Sequence, residues 1–468
     1  MTRGKAELQA ELRKLPQVDA VLSTEPMNAL ATVYRRDVVK RLVQAEIASL
    51  REQVTSGKRD TVPSAEEVAM AVAVKLSELA QPLLKPVVNA TGIALHTNLG
   101  RAVLGKRAQQ AIAAVSAAYS NLEFDLQQGA RTRRDVTLEP LLKALTGCEA
   151  ATVVNNNAGG VFLALKSLAE GREVLTSRSE LVEIGGSYRV PDVVRASGCQ
   201  LVEVGTTNRT RLKDYERAIT DSTALILKTH TSNYRIVGFT EETELTDLVA
   251  LARKHAVPVI VDLGSGYIAP EEGKALSEPD VIGTLAAGPD LVTFSGDKLF
   301  GGPQAGIVLG RRDLVLKLRR NPLWRVVRID KFTVAGLGAT LVEHLHRRVE
   351  HTELVMREFI AADLGQQSRL AKRLIRKLQA VKPSWQFEIA DGAGYYGGGS
   401  LPEEHLDAKL VTFSSPVLEA NRLDELMRQG NPPVVGCIWR GVYTLNMLTL
   451  LPGDVERITT RIAELADD

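Results

Sequence analysis

The chain has 468 residues, and at roughly 150 residues per domain this length predicts about three domains. Apolar residues make up 44% and charged residues 24% of the chain, an ordinary balance for a globular protein with a large core. The 58 lysines and arginines nearly balance the 56 aspartates and glutamates, which excludes a globally basic nucleic-acid-binding protein, and aromatic residues at 4% argue against extensive base stacking.

The cysteines and the apolar segments exclude further classes of protein. Cys148, Cys199 and Cys437 are far apart and odd in number, which argues against a disulfide framework and against a zinc site. The first residues lack the apolar run of a secretory signal, and the chain lacks the stretch of about 18 apolar residues that a membrane-spanning helix requires. We therefore expect no metal, no membrane association and a cytoplasmic location.

Residues 1–62 are predicted to form a small helical domain. Two stretches, at residues 6–14 and 36–53, have the apolar spacing of amphipathic helices. The stretch that follows contains glycine, lysine and proline and resembles a hinge. This domain is therefore expected to be tethered to the rest of the chain by a short linker.

The remaining chain is predicted to contain a linker helix, a core and a smaller domain. Ser64 followed by Glu67 has the spacing of a capping box, so a linker helix is expected within residues 63–87. Residues 88–335 alternate short β-branched runs with helical stretches, which is typical of a mostly parallel sheet covered on both faces. The strand candidates are residues 151–154, 173–175, 201–204, 224–227, 257–262 and 291–294. Residues 336–468 fit a C-terminal α+β domain.

Polar segments stand at the ends of three predicted strands. Residues 155–160, Asn-Asn-Asn-Ala-Gly-Gly, open a helix, where backbone N–H groups and the helix dipole favour a phosphate. Asp262 lies at the tip of another strand, and Lys298 follows a third after a short glycine-containing turn. Because ligands in open α/β sheets bind outside the carboxyl ends of the strands, we expect these groups to meet.

A phosphate-binding loop, a carboxylate and a lysine in this order are what pyridoxal phosphate (PLP) requires. Asp262 would keep the pyridine nitrogen protonated, so that the ring can accept electrons from a carbanion. Lys298 would form an imine with the aldehyde and later act as a base, for which its amine needs a lowered pKa. The cofactor-binding residues expected on this basis are Lys298, Asp262, Ser295, Asn156, Asn157, Ala158 and Gly159.

Each of these features also has an ordinary structural explanation. Asp262 can cap a turn, residues 155–160 can be a simple helix start, and Lys298 can be a solvated loop lysine. Each feature alone is weak evidence. Their order along one α/β sheet favours the PLP hypothesis.

Long motifs in the chain resemble those of a known family. Examples are His-Thr-Asn-Leu-Gly-Arg at residues 96–101 and Ser-Gly-Asp-Lys-Leu-Phe-Gly-Gly-Pro at residues 295–303. The matching segments lie at residues 89–101, 119–125, 155–158, 177–187, 230–239, 261–266 and 294–306. They resemble bacterial selenocysteine synthase, the L-seryl-tRNA(Sec) selenium transferase. The resemblance implies an α/β fold-type I PLP-transferase with a small N-terminal helical domain and a C-terminal α+β domain.

The resemblance also implies a reaction. L-seryl-tRNA(Sec) displaces Lys298 from PLP, Lys298 removes the Cα proton, and loss of water leaves a dehydroalanyl-tRNA intermediate. Selenophosphate then adds its selenium, and loss of phosphate gives L-selenocysteinyl-tRNA(Sec). Asp297 is similar to a family acid that assists proton transfer, although a turn residue is an equally good explanation for it.

Further site residues follow from the same resemblance. Arg101, Arg325 and Arg328 match the arginines that the family uses for the anionic selenium donor, and guanidinium groups suit phosphate-like oxygens. His230 and Asn233 follow a predicted strand. His230 can border the cofactor ring and Asn233 can hydrogen-bond its ring oxygen, and a structural role for each remains an alternative.

The family's tRNA-binding domain is similar in position to residues 1–62. With so few aromatic residues, we expect recognition through RNA shape and phosphate contacts. Deleting residues 1–62 is predicted to leave cofactor binding intact and to abolish tRNA binding. The resemblance further implies a homo-oligomer, a decamer of five dimers.

Two other functions remain open from the sequence. The first is a PLP-dependent β-lyase or aminotransferase for a small amino acid, against which the N-terminal domain and the three arginines argue. The second is a tRNA-binding scaffold without catalysis, against which the intact Lys298 and Asp262 argue. Three histidines without obvious partners, His344, His346 and His351, are expected at the surface.

Overall fold

The structure, a computed structural model, describes residues 5–82, 84–186, 188–269, 276–346, 352–397 and 400–465. The chain divides into two compact units, Met1–Pro86 and Val87–Asp468. Among the described residues, no helix has both the length and the apolar character needed to cross a membrane.

The first unit is built from helices. They are α1 (Lys5–Leu12), α2 (Val18–Leu22), α3 (Glu25–Val33), α4 (Arg36–Thr55) and α5 (Ala65–Ala80). Apolar side chains recur every three or four residues on α4 and α5, so each helix has one apolar face. Val43, Leu50 and Val72 from these faces meet in one buried core.

Helix α5 begins as the sequence predicts. Ser64 Oγ accepts a hydrogen bond from Glu67 N at 3.1 Å, and the Glu67 carboxylate accepts one from Ser64 N at 2.7 Å. This helix, expected as a linker within residues 63–87, shares the core of α2, α3 and α4. A boundary at residue 62 would divide that core, and the compact unit instead extends to Pro86.

The second unit contains strands and helices in alternation. Its strands are β1 (Val88–Asn89), β2 (Ile93–Leu95), β3 (Phe124–Asp125), β4 (Ala130–Arg131), β5 (Ala150–Val154), β6 (Glu173–Ser177), β7 (Glu183–Ile184), β8 (Tyr188–Arg189), β9 (Gln200–Val204), β10 (Thr223–Thr229), β11 (Val259–Gly264), β12 (Leu291–Ser295), β13 (Gly306–Gly310), β14 (Gln386–Gly397), β15 (Ser400–Ser414), β16 (Val434–Val435), β17 (Cys437–Trp439) and β18 (Val442–Asn446). Its helices are α6 (Lys106–Ser116), α7 (Leu138–Thr146), α8 (Asn157–Leu168), α9 (Val190–Ala196), α10 (Leu212–Ala218), α11 (Leu245–Lys254), α12 (Val281–Ala286), α13 (Arg312–Arg320), α14 (Leu323–Val326), α15 (Lys331–His344), α16 (Val355–Ala361), α17 (Leu364–Val381), α18 (Ala420–Gln429) and α19 (Asp454–Ala463).

A seven-stranded sheet in the order β5-β13-β12-β11-β10-β6-β9 forms the centre of this unit. Strand β13 is antiparallel to both of its neighbours, and the other pairs are parallel. All six strand candidates from the sequence belong to this sheet, and β13 was missed. The prediction of a mostly parallel sheet is confirmed.

Both faces of this sheet are buried, which explains the continuous apolar runs. Val259 and Val261 of β11 contribute to one core cluster, and Ile260 between them contributes to another. This alternation follows from the two-residue repeat of a strand. Helices α7, α11 and α15 supply side chains to the first cluster, and α8, α9 and α13 supply them to the second.

A five-stranded sheet in the order β17-β18-β15-β14-β2 supplies the α+β part of the unit. Most of it comes from residues 336–468, as expected. Strand β2 is the exception, because it precedes the large sheet in the chain and pairs in parallel with β14. Helices α15, α16 and α17 precede β14 in this part of the chain, and His351 lies outside the described residues.

Candidate active site

The strand ends of the large sheet open on a cavity of about 300 Å³, the size of a small-molecule site. The residues that line it are Arg101, Asn156, Asn157, Ala158, Ile184, Gly185, Tyr188, Thr229, His230, Ser232, Asp262, Gly264, Ser295, Asp297, Lys298 and Gln304. The structure therefore brings residues of the 155–160 segment, Asp262 and Lys298 together at this edge of the sheet, as expected.

The proposed phosphate loop forms the N-terminus of α8. Asn156 is the N-cap, and its Oδ1 accepts a hydrogen bond from Gly159 N at 2.7 Å. A Cβ atom on Gly306 of β13 would lie 2.2 Å from the Asn156 carbonyl oxygen, so only glycine permits this close backbone packing. Asn157 and Ala158 line the cavity, whereas Gly159 does not.

Asp262 is a buried carboxylate near the end of β11, not a cap of an exposed turn. Its Oδ1 accepts hydrogen bonds from Asn157 Nδ2 at 2.7 Å and from Thr293 Oγ1 at 3.3 Å. Burial raises the pKa of Asp262, and the Asn157 amide and the charge of Lys298 oppose that rise. The carboxylate is thus held in place for a cationic partner in the cavity.

Lys298 is 5% exposed, so a solvated loop lysine is the wrong explanation. Burial lowers the pKa of its amine, as the nearby Arg101 also does, while Asp262 and Asp297 raise it. Gly264 faces the amine with a backbone φ of +70°, a conformation that other residues rarely adopt. The lowered pKa favours the neutral amine that nucleophilic and base chemistry requires.

Arg101 and Asp297 form an ion pair at the rim of the cavity. Arg101 Nη1 lies 2.8 Å from Asp297 Oδ2, and the Asp297 carbonyl accepts a hydrogen bond from Ala102 N. The Arg101 backbone has a φ of 63°, which directs the chain back toward the Lys298 loop. Ser295, at the end of β12, is buried and lines the same cavity.

Three other predicted site residues do not line this cavity. Arg325 is exposed on α14, and Arg328 pairs with Glu123 at 3.3 Å. Asn233 Nδ2 donates a hydrogen bond to the Glu183 carbonyl at 2.8 Å. Within the part of the chain that the structure describes, these residues are not part of the cluster around Lys298.

Several cavity residues were missed from the sequence. Thr229 and Ser232 flank His230, and the strand-end rule would have found Thr229 had β10 been extended by two residues. Tyr188 comes from a short hairpin and Gln304 from the loop before β13, and neither has a local sequence signal. Their positions depend on tertiary packing.

The expectation of a surface position for His344 is wrong. Its ring stacks on Phe300 with centroids 4.3 Å apart, Nε2 lies 2.8 Å from the Phe300 carbonyl oxygen, and Arg357 donates to Nδ1 at 3.3 Å. Burial, together with the charge of Arg357, lowers the pKa of His344 to about 3. The neutral imidazole therefore supports the loop that carries Lys298.

The residues around the cavity fit PLP. Asn157 Oδ1 and Thr229 Oγ1, from residues that line the cavity, are buried and have no hydrogen-bond partner among the described residues. Buried polar atoms are normally paired, so this group points to a polar ligand. A helix N-terminus, a buried carboxylate and a buried amine provide the phosphate, ring-nitrogen and aldehyde contacts that PLP needs.

A solved structure of D-glucosaminate-6-phosphate ammonia-lyase has a similar fold. Its TM-score is 0.57 at 21% identity, and the match covers 84% of this chain and 99% of that one. The mostly parallel sheet, the polar cavity at its strand ends and this likeness define an α/β fold of the kind found in that lyase. The predicted fold class is confirmed.

Sequence comparisons identify the family. A family model described as L-seryl-tRNA selenium transferase matches residues 87–451, and one described as selenocysteine synthase N terminal matches residues 12–51. Proteins named L-seryl-tRNA(Sec) selenium transferase from Geotalea uraniireducens and Carboxydothermus hydrogenoformans are 43% and 41% identical. The matches cover 97% and 96% of this chain, and 99% and 96% of those proteins. The chain belongs to the L-seryl-tRNA selenium transferase family.

Proposed function

We propose that the protein converts L-seryl-tRNA(Sec) to L-selenocysteinyl-tRNA(Sec), with selenophosphate as the selenium donor and PLP as the cofactor. The observation that carries the proposal is the meeting of Lys298, Asp262 and the α8 N-terminus in one cavity. Membership of the transferase family, across nearly the whole chain, supports the choice of substrate.

Different cavity residues would bind different groups of the cofactor. When bound, PLP supplies an electron sink that stabilises negative charge on the substrate Cα. The N–H groups at the start of α8 would bind its phosphate, with Ser295 as a further donor. Asp262 would pair with the ring nitrogen, and Asn157 would keep that carboxylate oriented.

Lys298 is the base in this proposal. Its lowered pKa lets the amine accept the Cα proton of the seryl group once substrate has entered. The serine hydroxyl leaves as water, selenium bonds to Cβ, and water cleaves the selenium–phosphorus bond to release phosphate. Asp297, paired with Arg101, is placed to assist a proton transfer beside the lysine.

The anionic selenium donor requires cations. Arg101 is the predicted arginine that lines the cavity, and Asp297 holds its guanidinium group there. Arg325 and Arg328 remain part of the proposal as donor-binding residues, supported by their exposed or half-exposed side chains. A bidentate guanidinium contact suits the oxygens of selenophosphate.

The tRNA would bind the helical unit Met1–Pro86. The polar face of α4 carries Arg36, Lys40 and Arg51, which are exposed while the opposite face is buried. Such cations can contact RNA phosphates without reading base sequence. The family model for the selenocysteine synthase N terminus matches residues within this unit.

The proposal extends to assembly and location. We expect a homo-oligomer, a decamer by family resemblance, because enzymes of this fold commonly build their sites between subunits. A cytoplasmic location follows from the substrate, since aminoacyl-tRNA is made and used there.

A direct assay tests the proposal. Purified protein is incubated with seryl-tRNA(Sec), with and without selenophosphate, and the esterified amino acid is analysed by mass spectrometry. Selenocysteine should form only with selenophosphate, and borohydride reduction should fix a pyridoxyl group on Lys298. Free serine serves as the control. Turnover of free serine without conversion of the charged tRNA would replace this proposal with a small-amino-acid enzyme.

A further inference from the structure

A second cavity of about 350 Å³ adjoins the cofactor cavity. The two share His230 and Ser232, so the His230 side chain stands between them. Glu278 lines the second cavity, and it precedes α12. The structure therefore places a carboxyl group behind a histidine that borders the cofactor cavity.

Glu278 is an isolated buried carboxyl group. Its side chain is 1% exposed, and neither oxygen has a hydrogen-bond partner among the described residues. His230 Nδ1 lies 3.6 Å from Glu278 Oε1. Nδ1 also lacks a hydrogen-bond partner in the described chain, so a small side-chain movement would join the two groups.

Burial shifts the pKa of Glu278 and the pKa of His230 in opposite directions. It raises the pKa of Glu278 to about 7, which Ser265 and Lys298 oppose and Glu404 reinforces. It also lowers the pKa of His230, with Glu242 opposing and Lys228 and Lys298 adding to the effect. Glu278 therefore binds a proton more readily than an ordinary carboxyl group, beside an imidazole that binds one less readily.

We propose that Glu278 is a positioning residue of the active site, which orients the His230 imidazole and sets its proton at the border of the cofactor cavity. The inference rests on the proposed function, because His230 matters only if the cavity holds the cofactor. A carboxyl group bonded to one ring nitrogen fixes the tautomer and the plane of an imidazole. Glu278 would thus act on the cofactor through His230, without contacting the cofactor itself.

The first test uses the visible absorbance of the bound cofactor as a function of pH. Glu278→Gln should shift the titration midpoint of the bound cofactor by about one pH unit, mostly through the freed His230 imidazole and to a smaller extent through the direct charge effect of Glu278 on Lys298. In a His230→Asn background the same change should shift the midpoint by less than half as much, because coupled residues are not additive. Glu241→Gln, an exposed carboxylate of the same cavity that pairs with Arg211, is the matched control and should leave the midpoint unchanged.

A second test needs no cofactor. In the cofactor-free protein, Glu278→Gln should change the dependence of the unfolding temperature on pH in both backgrounds, because burial alone raises the pKa of Glu278. The change should be larger when His230 is present than when it is Asn. Equal effects of Glu278→Gln in both backgrounds, or none in either, would overturn the inference. A wild-type protein that never binds PLP would instead overturn the proposed function, and this second measurement would still decide the role of Glu278.

Discussion

The cofactor cavity and the helical unit Met1–Pro86 bury different kinds of side chain. In the cavity, Lys298 and Asp262 are 5% and 6% exposed, although each is charged in water. In the helical unit, the core consists of side chains such as Val43 and Leu50, and the charged residues of α4 remain outside. Burying a charged group costs free energy, so the buried charges of the cavity indicate a chemical role. The apolar core of the helical unit instead stabilises its fold, and the cations of α4 remain exposed.

The largest expected effect concerns the amine at the centre of this contrast. Lys298→Ala should reduce selenocysteine formation roughly a thousandfold or more, because it removes both the cofactor attachment and the base. Binding of tRNA, measured by filter retention, should be unchanged. The exposed Lys317→Ala is the control, and a similar loss of activity in that variant would refute the special role of Lys298.

Removal of the helical unit should weaken tRNA binding and leave cofactor binding intact. Deleting Met1–Pro86 takes away its whole core, whereas a cut at residue 62 would expose the apolar face of α5. Affinity for tRNA(Sec) should fall about a hundredfold through lost phosphate contacts. PLP absorbance and the Lys298 adduct should persist. Retention of tight, salt-sensitive tRNA binding in the truncated protein would move the binding surface elsewhere.

A smaller effect, on stability, is expected at His344, which contacts the Phe300 carbonyl in the loop that follows Lys298. Its pKa is about 3 when folded and 6.5 ordinarily, so the unfolded chain binds a proton more readily. The stability it contributes is complete above pH 6.5 and is lost as the pH falls toward 3. At pH 5 the loss is about 2 kcal/mol.

His344→Gln should therefore reduce the fall in unfolding free energy between neutral pH and about pH 5, as measured by urea denaturation. The half-buried His346→Gln should leave that fall unchanged. An identical acid sensitivity in wild type and His344→Gln would show that this imidazole is not the group responsible.

The smallest expected effect is at Asn157, which orients Asp262. Asn157→Ala removes the 2.7 Å hydrogen bond to the buried carboxylate and should weaken PLP affinity about tenfold. Asn155→Ala, an exposed neighbour in the same loop, should leave the affinity unchanged. Titration of the cofactor-free variants by absorbance measures both, and equal affinities would remove Asn157 from the site.

The central part of the site was predictable because its signals are local. Asn157, Asp262 and Lys298 each follow a buried, β-branched strand, and parallel strands bring their carboxyl ends to one edge. Strand β13 was missed because its five residues begin and end with glycine, and the β14–β15 hairpin because much of β14 is exposed.

Two features that could not be predicted from the sequence, the positions of Glu278 and His344, depend on contacts between distant segments of the chain. Glu278 precedes α12 and His230 follows β10, and no spacing in the sequence predicts that the two side chains lie 3.6 Å apart. His344 is buried by stacking on Phe300, which lies 44 residues earlier in the chain. Tertiary packing decided both positions.

Strand β2 has a consequence for the order of folding. It leaves the start of the second unit to pair with β14, and β1 likewise pairs with β16. During synthesis these early strands must wait for about 300 to 350 later residues before their partners exist, and such distant pairings form slowly. Arg101 lies just beyond β2, so a ribosome-bound chain that already holds the Lys298 loop would still lack the anchor for this arginine. The position of Arg101 beside the Lys298 loop is thereby tied to synthesis of the C-terminal part of the chain.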